Sequence, residues 1–143
     1  MKIKRVLMEH KVLVSAIIVL MIGILVAIMP TRVSVSREKV TKIEIRSGYT
    51  GQCVEITSPE KIDKIIDNLN GAKVKKAGWS LFRLGYGYRI TFYSGNSELG
   101  GRWGSFIVND TDLIRNDPFF YVLEKEKIDT SFFERILNNP WEG

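Results

Sequence analysis

The chain has 143 residues, 45% of them hydrophobic, with 21 basic and 16 acidic side chains for a net charge of +5, one cysteine and one histidine. That length suits one ordinary domain, and a single cysteine excludes an internal disulfide framework. The lone histidine, His10, lies near the N-terminus, which excludes a Ser-His or Cys-His catalytic pair and a histidine-ligated metal site from everything that follows it.

Residues 1–11 form a basic head, in which Lys2, Lys4, Arg5 and Lys11 stand against Glu9. Residues 12–29, Val12 to Met29, are then apolar except for Ser15. As a helix this run would measure ~27 Å, close to the ~30 Å hydrocarbon layer, and predicts an N-terminal transmembrane helix that lies in membrane lipid as a signal anchor. The run exceeds the apolar core of a cleaved signal, and its best small-x-small site, Ser34-Val35-Ser36, comes late. No cysteine lies near the end of the run for lipid attachment. The basic head implies a cell-membrane location, single-pass, with the N-terminus cytoplasmic and the C-terminal domain extracellular. The net charge thus reflects topology, and no nucleic acid is expected as a partner.

Pro30 ends the run, and residues 30–39 read as a polar tether. Residues 40–143 then read as an exported α+β domain. Ile43 and Ile45 alternate with charged neighbours, as do Val54 and Ile56, which predicts a hairpin of half-buried strands. Ser58 and Pro59 open an amphipathic helix whose Ile62, Ile65, Ile66 and Leu69 share one face, closed by Gly71. A short strand follows around Val74, then the aromatic loop "GWSLFRLGYG", then strands around "YRITFYS", "RWGSFIVN" and "PFFYVLE". Asp129 or Thr130 caps a last helix with Phe132, Phe133, Ile136 and Leu137 on it. The order β-β-α-β-β-β-β-α predicts two helices on one face of a small antiparallel sheet.

The pieces "KIEIRSGYTGQCVEIT", "KIDKIIDNLN", "GYRITFYSGN", "SFIVN" and "FFYVLEKEKID" resemble the small exported, membrane-anchored or lipid-anchored domains of unknown function of Gram-positive (clostridial and bacillar) bacteria. The resemblance implies a cell-envelope location and brings no catalytic residue or cofactor with it.

The residues argue against several chemistries. Cys53 lacks a base, and Asp110, Asp112 and Asp117 lack the spacing and the glycine of a calcium loop. "GYGYR" and "GGRWG" do not join a strand to a helix as a phosphate loop must. No metal and no cofactor is expected, and the chain reads as a non-catalytic binding module of the cell envelope, not as an enzyme. A regulatory or sensing subunit of a membrane complex and an unrecognised envelope hydrolase are the alternatives. Trp79, Arg83, Tyr88, Arg102 and Trp103 are the expected binding patch, since aromatic faces beside guanidinium groups grip carbohydrate or protein. Cell-wall polymer or another membrane protein would be its partner.

Overall fold

The computed structural model describes residues 2–28, 31–125 and 127–139, with side chains from residue 10 onward except 26–28. Helix α1 (Lys2–Ile28) comes first, followed by β1 (Thr31–Arg32) and a 3₁₀ turn at Arg37–Lys39. The domain continues as β2 (Lys42–Ser47), β3 (Cys53–Ile56), α2 (Pro59–Leu69), β4 (Lys73–Trp79), β5 (Tyr88–Ser94) and β6 (Ser97–Glu98). It ends with β7 (Ser105–Asp110), β8 (Leu113–Asn116), β9 (Phe119–Leu123) and α3 (Thr130–Asn138). The strands form one antiparallel sheet in the order β1-β4-β9-β8-β7-β5-β2-β3, with β6 hydrogen-bonded to β5. An antiparallel α+β domain is therefore present.

One face of the sheet is apolar because the alternation along each strand sends Ile43 and Ile45, Ile90 and Phe92, Phe106 and Val108, and Ile114 to the same side. Ile62, Ile65, Ile66 and Leu69 of α2 and Phe133, Ile136 and Leu137 of α3 are buried in the same core. Asp129 caps α3, its carboxylate accepting from the backbone N–H of Phe132 at 3.1 Å. Ser58 occupies the N-cap of α2 but makes no side-chain bond there, so Pro59 at the first helical position and Glu60 in the first turn open that helix. The other face carries Lys42, Glu44, Arg46, Arg89 and Arg115.

Three expectations are corrected. The predicted transmembrane helix over Val12 to Met29 is overturned: among the described residues no helix is long and apolar enough to cross a membrane. Met29 and Pro30 lie outside the described residues. Second, within the expected tether of residues 30–39, the described residues 31–39 lie against the domain. Thr31 and Arg32 pair with Val74 and Lys73, Val33 donates to the Ala72 carbonyl at 3.0 Å, and Val33, Val35 and Val40 are buried. Third, a strand not predicted, β8 (Leu113–Asn116), precedes the predicted strand around "PFFYVLE". Pro118 lacks the N–H a ladder needs, and the chain turns at Asp117-Pro118 between β8 and β9.

Candidate functional site

The connection from β4 to β5 cannot be a hairpin, because β9, β8 and β7 lie between these two strands. Residues 80–87 therefore cross the sheet as a strap, and its backbone is moored at both ends and in the middle. The Ser80 N–H donates to the Pro118 carbonyl at 2.9 Å, and the buried Ser80 hydroxyl donates to Asp117 at 2.5 Å. Arg115 on β8 grips Asp117 with Nε at 2.8 Å and Nη2 at 3.2 Å, and its Nη1 donates to the Arg83 carbonyl at 2.7 Å. At the far end the Gly87 N–H donates to the Asn109 side chain at 3.1 Å, and the Gly87 carbonyl accepts from the Gly48 N–H at 2.7 Å. A Cβ on Gly87 would lie 2.4 Å from the Val108 carbonyl oxygen, so only glycine permits this approach.

Arg115 is thus the pillar under the strap. Its guanidinium, together with the Ser80 hydroxyl, holds the Asp117 carboxyl below the usual aspartate range.

The strap presents its apolar side chains to solvent. Phe82 is 98% exposed and Leu84 99%, while Leu81 and Trp79 are also exposed. Phe82 has φ +65°, a left-handed conformation that an L side chain pays for with about 1–2 kcal/mol. Phe82→Gly should therefore stabilise the domain by about 0.5–1 kcal/mol, the relief of strain exceeding the added backbone entropy of glycine. Chemical denaturation of the two proteins gives the value, and a loss of stability would show that the ring is packed after all.

The five predicted patch residues do not form one surface. Trp79 stands at the root of the strap and Arg83 on it, both exposed. Arg102 is exposed, and its carbonyl accepts a bond from the Asn116 amide. Asn116 lies opposite Phe119, whose ring is 4.8 Å from that of Trp79, so Arg102 and Trp79 share one end of the sheet. Tyr88 and Trp103 are corrected to core residues, 4% and 8% exposed. The Tyr88 hydroxyl donates to Glu134 of α3 at 2.8 Å, and burial first, then this carboxylate, pushes its pKa above the usual tyrosine range. Trp103 packs edge-on against Phe106 and Tyr121, each with ring centroids 5.6 Å away.

The expected patch left out Leu81, Phe82, Leu84, Arg89 and Arg115. One signal was available: from Asp67 to Glu98 no acidic residue intervenes, while Lys73, Lys75, Lys76, Arg83 and Arg89 do. Arg46 and Arg89 face each other on adjacent strands, an unfavourable like-charge pair. Arg46 turns to Glu44 at 3.5 Å, whereas the Arg89 guanidinium lies over the Tyr86 ring at 5.2 Å.

Cys53 is exposed on β3, as its place in the alternation implies. Partial burial raises its thiol pKa, with Glu44 adding to the rise and Arg46 opposing it, so the thiolate is scarce at neutral pH. Asp110 accepts from the Thr111 N–H, and Asp117 belongs to the strap anchor, so the acids of "NDTDLIRND" are held by different partners. Among the described residues no group of three potential metal ligands converges. No protein family, no curated protein and no solved structure matches this chain.

Proposed function

We propose that the chain is a non-catalytic interaction module that works at a lipid surface of the cell envelope. The observation that carries this reading is the exposure of α1: every Val, Leu, Ile and Met from Val12 to Leu25 is between 48% and 70% exposed. An apolar side chain left in water forfeits ~25 cal/mol for each Å² it could bury. A helix that packs on its own domain hides one stripe and shows a polar one. This segment has no polar stripe, so an apolar surrounding suits it better than a groove in a protein. Lys2, Lys4, Arg5 and Lys11 precede or open the apolar run and match anionic headgroups.

The side chains with nucleophilic or acid-base capacity support the non-catalytic half of the reading. Ser80 is committed to Asp117 and Asp117 to Arg115, and the Cys53 thiol is pushed away from ionisation.

The test is flotation of the full chain with vesicles of equal parts phosphatidylcholine and phosphatidylglycerol. The chain should rise with the vesicles, and an Ile18→Asp/Ile22→Asp variant should lose about tenfold or more of that partitioning, since each carboxylate costs ~2–3 kcal/mol in hydrocarbon. If the full chain instead stays with the aqueous fraction as a stable oligomer of itself, α1 is a protein–protein element and the reading fails.

A further inference from the structure

We infer that the strap between β4 and β5 is a second lipid contact, one that inserts Phe82 and Leu84 among acyl chains and sets Arg83 and Arg89 against anionic headgroups. This inference rests on the reading of the chain as a lipid-surface module, but it stands on separate residues. Phe82 and Leu84 are more exposed than any described large apolar side chain of α1. Their exposure is not that of a slack loop, because Ser80, Arg115 and Asn109 fix the backbone on both sides of the tip. A rigid tip that holds an aromatic ring outward at φ +65° is a conformation maintained against local strain. Strain of this kind is sustained where an outward side chain has a use.

Charge selects the occupant. Arg83 lies between Phe82 and Leu84 in sequence, Arg89 follows on β5, and neither has a carboxylate within ion-pair distance among the described residues. Asp117, the carboxylate beneath the strap, is engaged by Arg115. An anionic phosphate placed beside Arg89 would also relieve its repulsion from Arg46 across the strand pair. A few apolar side chains with basic neighbours match the chemistry of an interfacial lipid contact. A stable protein partner would ask for ~800 Å² of this surface, far more than two side chains at a tip provide.

β1 runs antiparallel to β4 with Thr31 opposite Val74, so the N-terminal end of β1 points toward the Trp79 end of β4. The strap leaves β4 from that same end.

The experiment uses the full chain in a Cys53→Ser background, with an environment-sensitive fluorophore on a single introduced cysteine: Ile18→Cys in the helix, or Phe82→Cys or Leu84→Cys in the strap. Each protein is mixed with phosphatidylcholine–phosphatidylglycerol vesicles whose acyl chains carry a nitroxide quencher. Quenching at all three positions is expected, with Arg83→Glu and Arg89→Glu each weakening binding to these vesicles by about fivefold and leaving binding to pure phosphatidylcholine unchanged. Quenching at Ile18→Cys with neither strap position quenched overturns the strap inference and leaves the helix reading standing. Absence of quenching everywhere overturns both. Strap probes that become shielded from aqueous iodide on self-association, without vesicles, assign the tip to a second copy of the chain and also overturn the inference.

Discussion

Trp103→Ala should destabilise the domain by about 3–5 kcal/mol, and Trp79→Ala by no more than about 1 kcal/mol. The two residues looked equivalent as aromatic neighbours of arginine, but their surroundings differ. Trp103 is 8% exposed and lies edge-on between Phe106 and Tyr121, so truncation opens a cavity beneath the sheet where three elements meet. Trp79 is 67% exposed and, among the described aromatic residues, touches the Phe119 ring alone, so its truncation removes an edge contact and little buried volume. Denaturant titration of the two variants measures the contrast. Equal losses would mean that Trp79 is packed and that its end of the strap is structural.

Arg115→Ala is the second large effect expected, about 1–3 kcal/mol, because one guanidinium satisfies the Arg83 carbonyl and both oxygens of Asp117. Removing it also frees the strap, so limited proteolysis should cut within residues 81–86 of the variant and leave the wild-type strap intact. Arg115→Lys should restore only part of the loss, since an ammonium cannot fork between a carboxylate and a carbonyl. The same anchor gives a pH dependence with a definite sign. The Asp117 pKa is lower folded than unfolded, first through Arg115 and then through Ser80. Its contribution is therefore present above the ordinary aspartate value and is lost as pH falls through the depressed folded value. In Arg115→Ala this acid-side loss should shrink, as measured by denaturation at a series of acidic pH values.

The elements whose burial follows a simple period were legible in the sequence. The alternation of Ile43 and Ile45 and the helical spacing of Ile62, Ile65, Ile66 and Leu69 lead directly to buried faces in the structure. The same logic was available for three residues that were misplaced. Tyr88 is in phase with Ile90 and Phe92, which are both in the core, and that phase outweighs the pull of its arginine neighbour. Val33 and Val35 alternate with Ser34 and Ser36, yet the polar half of that pattern suggested a tether, whereas the apolar half packs against the domain.

The candidate site was less legible, for a physical reason. A strap that crosses three strands has no period of its own, and the direction of Phe82 and Leu84 depends on Arg115, Asp117 and Asn109, which arrive from β7, β8 and the turn after β8. Sequence gives the apolar and basic content of the loop. Only the sheet order, with β4 and β5 apart, shows that this content is carried over the sheet face and displayed.

Hydrogen exchange of the full chain, with and without phosphatidylglycerol-containing vesicles, tests the central claim most directly, because helix and strap are read in one measurement. Lipid binding through both contacts should slow exchange over residues 12–25 and 81–85 and leave the amides of α2 and α3 unchanged. Unaltered exchange in both segments, or protection confined to the outer faces of α2 and α3, would contradict the assignment of this chain to a lipid surface.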